Sequence, residues 1–404
     1  MMRYEHTAGQ PDSLVTEASQ HRRHRRIGAF PSSSRPAVDR LARIAPAIED
    51  LADSFPALLF ALATGYGSDT ARRSALAAVT HGLPLREAAS RLALPFWLRK
   101  LPASALAAPL VSPPSDPQLV NRLISLIPAT PAAAAAWLER VMIAHHSGQS
   151  IGRPELALWV AQQHRGPQPS PRSTAFLTTL AWCWYSAARG DAAGLRGRAL
   201  LAGTHWTPSM GARRASVETR LWRERIALDV CLGPGLMDSW LAEGTVGDLA
   251  FVPLRSADDF IAEARSMDNC LDRYADRLVG RAVRVFSIRR DGRPIADVEI
   301  TAHDREPGHP SIAQLRAAHN RRAPLEIWQA AHVWLGSQPL RLADRQLEIR
   351  TSPRVRKRRE QAIWQPFLDA LPPHAREALE ASLWGKASAG KRRPTARRSV
   401  SGES

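Results

Sequence analysis

Two residues constrain the fold of this chain more than any others. Asp291-Gly292 sits between two runs that alternate with a period of two. Val283, Val285 and Ser287 alternate with Arg284, Phe286 and Ile288 before it. Ala296, Val298 and Ile300 alternate with Asp297, Glu299 and Thr301 after it. Alternation of this kind is strand spacing, because successive side chains of a strand point to opposite faces. Asp-Gly between such runs is a strong short-range signal for a tight hairpin. A chain with this hairpin must build an antiparallel sheet, and the pattern around it decides what covers the sheet.

The segments beside the hairpin complete a small α+β core over residues 244–340. Phe251-Val252-Pro253-Leu254 is a short apolar lead-in. Ser256 reads as an N-cap followed by the acids Asp258 and Asp259, which suit the positive end of a helix. Phe260, Ala264, Met267, Leu271, Tyr274 and Leu278 then recur in steps of three and four. That stripe predicts one amphipathic helix over 256–278, or two short ones with a break near Met267, closed by Gly280 as a C-cap. Ile312–Leu315 is the expected third strand. Pro324 opens a helix through Ile327, Trp328, Ala331 and Leu335 that ends near Gly336.

Residues 41–243 read as a helical domain broken by Pro and Gly. Leu41, Ile44, Ile48, Leu51 and Phe55 fall at helical spacing. Leu85, Ala88, Ala89 and Leu92 form another apolar set, and the stretch on to Arg99 and Lys100 has the rhythm of a helix-turn-helix. Its second half begins Pro95-Phe96-Trp97-Leu98, too apolar for a recognition helix, so a packed helical hairpin is the expectation. Trp137, Trp159, Trp182, Trp184, Trp206, Trp222 and Trp240 accompany Leu and Ala at helical spacing and are expected in the core. A C-terminal helical segment over 341–385 is broken at Pro372-Pro373.

The expected fold class is therefore α+β and mostly helical. A helical N-terminal region precedes a small core with a β-hairpin or three-stranded antiparallel sheet and flanking helices. Residues 1–40 and 386–404 are expected to be disordered basic segments, since neither has the apolar content to fold alone.

The chain carries 55 Lys and Arg against 38 Asp and Glu, a formal net charge of +17. Such a balance favours an anionic partner: nucleic acid, DNA in the first place, with an anionic membrane surface second. A compositional bias toward arginine would produce the same excess. Phosphate contact is expected from Arg22, Arg23, Arg25 and Arg26, from Arg354, Arg356, Lys357, Arg358 and Arg359, and from Lys391, Arg392 and Arg393. Cys183, Cys231 and Cys270 lie far apart with no CxxC, which fits neither a cysteine zinc site nor a secreted disulfide framework, so a reducing cytoplasm is expected. The apolar run at Pro131–His146 is cut by Glu139 and Arg140 and is too short to span a bilayer.

Chemistry-bearing residues gather in the core. Cys270, Glu299, Gln314 and Asn320 could form a catalytic site, with Cys270 as nucleophile and His303 or His319 within reach in sequence as a base. The favoured reading is structural: Cys270 a small buried hydrophobe, Asn269 a turn residue, and Gln314 and Asn320 partners of backbone groups. No P-loop, dinucleotide fingerprint, Ser-His-Asp order or HExxH motif occurs, so no cofactor is expected. His145-His146 beside Glu139 point in different directions on a helix and make poor joint ligands, so no metal is expected.

Met267, Asn269, Cys270, Leu271, Tyr274, Gly280, the strand Phe286-Ser287-Ile288-Arg289, then Ala296, Glu299, Ile300, Gln314, Leu315 and Asn320 together resemble the PcfJ-like family, named for a protein of bacterial conjugative plasmids. The resemblance covers about residues 244–340. Ala264 and Ala317 stand where glycines are usual in that pattern. The resemblance implies an accessory role at the DNA-processing complex of conjugative transfer; a non-enzymatic factor with a protein partner there is the expectation, and an enzyme built on Cys270, Glu299, Gln314 and Asn320 is the alternative. The resemblance itself implies no catalytic activity.

Overall fold

A computed structural model of the chain describes residues 21, 23–163, 169–190, 194–201, 203–280, 283–302, 309–338 and 352–385. They divide into two compact units. No helix among the described residues is long and apolar enough to cross a membrane.

The first unit is helical. It comprises the described residues up to 147, then 157–178, then 371–385. Its core surrounds the helix Pro56–Ala63, which is apolar on every side and buried along nearly its whole length. The expected disorder through residue 40 does not hold for residues 23–40. Residues 23–28 are helical, and helix α1 (Arg35–Ala42) comes next. Ile27, Phe30 and Val38 are buried in the core, an apolar set sparse in sequence but sufficient once it docks on a preformed surface. The stripe from Leu41 to Phe55 is not one helix. Pro46 removes a donor and restarts the chain as two short turns, leaving Ile44 exposed.

Helix α2 (Asp69–Thr80) packs against α3 (Leu85–Arg91), which opens the helix-turn-helix-like stretch. The next element is a five-residue 3-10 turn, Phe96–Lys100, with Trp97 and Leu98 buried and the Trp97 indole donating to the Pro114 carbonyl at 2.7 Å. Phe96 lies under the guanidinium groups of Arg86 and Arg99. The second half is packed as expected, but as a 3-10 turn rather than the second helix of a hairpin. Each tryptophan expected in the core is buried.

The second unit, residues 148–156 and 179–370, holds the sheet. Helix α4 (Ala212–Leu232) packs Trp222 against Tyr185 and Trp364. Six antiparallel strands are then laid side by side in consecutive order: β1 (Gly244–Val246), β2 (Leu249–Pro253), β3 (Val283–Arg290), β4 (Arg293–Ala302), β5 (Pro310–Ala317) and β6 (Arg321–Arg322). The three expected strands are present, with three more that the sequence pattern hides. The apolar lead-in at Phe251 is β2, paired with β3 across the intervening helix. Asp291 and Gly292 both take positive φ, 51° and 74°, the geometry of a type I′ turn.

Between β2 and β3 run α5 (Ala257–Met267), a 3-10 turn at Leu271–Arg273 and α6 (Ala275–Gly280). The break near Met267 falls at Asp268, which is left-handed at φ 48°. Helix α7 (Leu325–Gly336) covers one face of the sheet. Trp334 stacks on Phe251 at 4.7 Å and contacts Phe286 at the same distance, with Ile288, Ala296, Val298, Ile300 and Leu315 around them. The opposite face carries the polar residues of the alternation. The layer from α5 to α6 lies over it, so that Ser287, Asp297 and Glu299 are buried. The basic run Arg354–Arg359 begins α8 (Pro353–Asp369), within the expected C-terminal helical segment.

Candidate functional site

The covered polar face of the sheet is the candidate site. Helix α5 starts with a reciprocal cap. Asp259 N–H donates to Ser256 Oγ at 3.1 Å, and Ser256 N–H donates to Asp259 Oδ2 at 2.9 Å. This fixes the helix so that Glu263 points down onto β3 and β4. Glu263 Oε1 accepts from Ser287 Oγ at 2.7 Å, and Arg289 reaches both groups, at 3.5 Å to Glu263 Oε2 and 3.1 Å to Ser287 Oγ.

Beside Glu263 lies Asp297, 6% exposed. Asn269 Nδ2 donates to its Oδ2 at 2.7 Å, while Asn269 Oδ1 accepts from Leu271 N–H at 3.1 Å. Asn269 thus both turns the chain and braces the sheet. Among the described residues no donor reaches Asp297 Oδ1, and besides Asn269 the side chain with which Asp297 hydrogen-bonds is Glu263. Two carboxyl groups can hydrogen-bond only when one carries a proton. Burial, and then the charge of Glu263, push the Asp297 carboxyl up to about 8, so Asp297 holds that proton at neutral pH.

A second network adjoins the first. Tyr274 Oη donates to Glu299 Oε2 at 3.0 Å and accepts from Arg277 Nη1 at 3.0 Å and from Gln314 Nε2 at 3.2 Å. Arg277 Nη2 closes the ring on Glu299 Oε1 at 2.6 Å. A phenol has one donor and two acceptor positions, and all three are used. Burial, then the Glu299 charge, hold the Tyr274 hydroxyl far above its ordinary value.

The four sequence-predicted residues meet here. Cys270, Glu299, Gln314 and Asn320 line one cleft together with Asp297 and Arg316. They differ in state: Glu299 is buried and fully engaged, Gln314 is engaged, and Cys270 and Asn320 are exposed at the lip. The expectation of a buried Cys270 does not hold, because the left-handed Asp268 turns the thiol outward from the stripe. The cleft volume is about 10 Å³, room for about one water molecule. At its lip three non-glycine residues are left-handed: Asp268, His319 and Asn320. His319 Nδ1 lies 2.9 Å from Asp268 Oδ2 and joins the turn after α5 to the turn between β5 and β6. His303 lies outside the described residues.

The sequence reading missed Glu263, Asp297, Tyr274 and Arg277 as members of the site. Tyr274 stands on an apolar stripe, where its hydroxyl has no partner visible in the sequence. The alternation of β4 does mark Asp297 and Glu299 as sharing a face, which is the available signal.

The predicted phosphate contacts separate into distinct groups. Arg22, Lys391, Arg392 and Arg393 lie outside the described residues. Arg23 pairs with Asp39 at 3.3 Å, and Arg26 with Asp50 and Asp53 at 3.1 and 2.6 Å, so these two tie the first unit together, while Arg25 is exposed. Arg354, Lys357 and Arg358 are exposed on α8 with no acid partner among the described residues. Arg356 is half-buried, and Arg359 donates to the Val230 carbonyl at 3.3 Å.

These features define a class: a small α+β domain with a six-stranded antiparallel meander, one apolar face under a helix and one buried polar face under a helix-turn-helix layer. Residues 236–331 match the family model for PcfJ-like protein, so the chain carries a PcfJ-like domain, and both networks and the cleft lie inside it. No curated protein and no solved structure matches the chain.

Proposed function

We propose that this protein is a non-enzymatic accessory factor that binds nucleic acid, in the setting of conjugative DNA transfer that the PcfJ-like resemblance implies. The observation that carries the reading is the cationic face of α8. Arg354, Lys357 and Arg358 stand at i, i+3 and i+4, on one side of the helix. They occupy its first turns, at the positive end of the helix dipole, where cations are unfavourable, and no acid stands in the first turn. Fold stability does not account for three like charges there; an anionic backbone does. Contacts of this kind neutralise phosphates with little sequence preference and a steep dependence on salt.

The test is fluorescence anisotropy of labelled single- and double-stranded DNA and RNA against salt concentration. The full chain is compared with the triple variant Arg354→Ala, Lys357→Ala, Arg358→Ala. The expected result is binding by the full chain and a log–log salt slope less steep by about 2–3 in the variant, at roughly 0.9 per phosphate. The variant's thermal midpoint stays level or rises, since the charges oppose the dipole. An equal slope in the two proteins, or no binding by the full chain at low salt, overturns the reading.

A second reading is favoured by the convergence of Cys270, Glu299, Gln314 and Asn320 on one cleft: an enzyme with Cys270 as nucleophile. Against it stand the water-sized volume and the engaged state of Glu299 and Gln314. On the first reading, Cys270→Ala leaves nucleic-acid affinity unchanged and stability within about 0.5 kcal/mol. Loss of function in cells at unchanged affinity and stability would transfer the case to the enzyme.

A further inference from the structure

The turn Ala318–Asn320 sets β6 against the end of β5 so that Arg316 stands directly opposite Arg322. Directly opposed residues of an antiparallel pair share a face, with Cβ atoms about 5 Å apart, and like charges there are destabilising. Arg316, Arg321 and Arg322 are all exposed, and beyond the backbone ladder none of their side chains has an acid partner or hydrogen bond among the described residues. Four other arginines of the second unit are held by acids. Arg277 is held by Glu299, Arg289 by Glu263, Arg290 by Asp248 and Glu326, and Arg273 by Glu224.

Edge protection explains only half of this. A charged residue on a short edge strand discourages pairing with another chain. Arg321 and Arg322 supply that charge on β6; Arg316, on the inner partner strand, stands between Arg322 on one side and Asp297 on the other, and the edge does not require its charge. The pair instead has the geometry of a fork. Two guanidinium groups side by side present several N–H donors to one tetrahedral anion, which cancels their repulsion. Arg316 also lines the cleft, where the neutral donors Gln314 and Asn320 lie beside it. The nearest carboxyl of the cleft, Asp297, is protonated at neutral pH and adds no full negative charge to repel an anion.

We infer that Arg316 and Arg322, which share one face of the sheet, form a seat for a phosphodiester of a nucleic-acid backbone at the lip of the cleft. The inference rests on the nucleic-acid reading above and adds a contact inside the PcfJ-like domain itself.

Arg322→Glu tests it in the full chain. This variant keeps the edge charged and gives Arg316 a cross-strand ion pair, so the urea midpoint is expected to hold or rise. Affinity for labelled DNA is expected to fall by about tenfold at low salt, and the salt slope by about 2, because both guanidinium groups are withdrawn. Arg322→Lys is expected to keep most of the slope. Should Arg322→Glu fold poorly, Arg322→Gln serves in its place, with an expected slope loss of about 1. If Arg322→Glu and Arg322→Gln bind as tightly and as salt-dependently as the parent while the α8 triple variant is impaired, the seat is refuted and the nucleic-acid reading survives. If the parent itself binds no nucleic acid, that reading falls and the seat with it. Inorganic phosphate is titrated as a competitor. It is expected to act no better than sulfate at equal ionic strength; competition at micromolar phosphate would assign the pair to a free phosphate and overturn the nucleic-acid seat.

Discussion

Asp297→Asn raises the stability of the chain above pH 8, by an expected several kcal/mol, and leaves it nearly unchanged near pH 4. The reason lies in the shared proton. Asp297 is buried beside Glu263, and its folded value of about 8 lies well above its ordinary 3.8. The folded chain therefore keeps a proton that the unfolded chain has released. Where the folded state binds more protons, stability falls as pH rises. The loss begins near the unfolded value, accumulates up to about pH 8, and is complete once the folded group has also ionised. Asparagine reproduces the protonated acid at every pH. Its amide can donate to Glu263 as the carboxyl proton did, and its oxygen can accept from Asn269. The other charged and polar groups around the pair stay in place in the variant: Arg289 on β3, Glu299 on β4, Arg316 on β5, and Asp268, Cys270 and Tyr274 in the layer above. Urea denaturation of parent and variant from pH 4 to pH 9.5 gives the difference directly. Parallel curves, or a less stable variant at pH 9, would refute the shared proton. Infrared spectroscopy provides a separate check, since a carboxylic-acid carbonyl band present at pH 7 in the parent should vanish in the variant.

Removing the Arg277 guanidinium is expected to cost about 3 kcal/mol. Arg277→Met keeps the aliphatic stem and deletes only the charged head. Glu299, 3% exposed, then retains Tyr274 as its one donor, and Oε1 is left bare. Breaking a buried ion pair by removing one partner costs about 3–5 kcal/mol, chiefly because a charge is stranded. The lower end applies because Arg277 is itself 33% exposed on its side chain, so water screens part of the interaction. The contact of Arg277 with the Tyr274 ring at 5.0 Å is lost as well. Glu299→Gln in the same background should recover more than half of the loss by removing the stranded charge. A double-mutant cycle by urea denaturation measures the coupling. Additive single effects would show that Arg277 and Glu299 do not support one another and that the ring of hydrogen bonds is incidental.

Much of the domain was legible because its signals are local. The Asp291-Gly292 turn needs only two residues that tolerate positive φ between alternating runs. Ser256 caps α5 through its own third neighbour, and Pro324 starts α7 where its missing N–H is not needed. Half of the sheet was not legible. Leu249–Pro253 pairs with residues 286–290 across the whole α5–α6 layer, and Arg321–Arg322 is too short to alternate. The arm at 23–40 reads as disordered because Ile27, Phe30 and Val38 are too few to form a core alone. They need only to join one.

Local pattern established the elements and which residues share a face: Asp297 with Glu299, Ala296 with Val298 and Ile300. It also brought Cys270, Glu299, Gln314 and Asn320 into one candidate group. What that face does depends on packing. An antiparallel sheet with one polar face ordinarily turns that face to water. Here α5, the Leu271–Arg273 turn and α6 lie over it, and desolvation converts ordinary surface carboxylates into a proton-sharing pair and a saturated ring. Whether a carboxylate is free, paired or protonated depends on the dielectric and the donors around it, and those are supplied by residues distant in the chain. The same rule applies to the arginines. Composition set their number, and packing alone left Arg316, Arg322, Arg354, Lys357 and Arg358 without acids to hold them among the described residues.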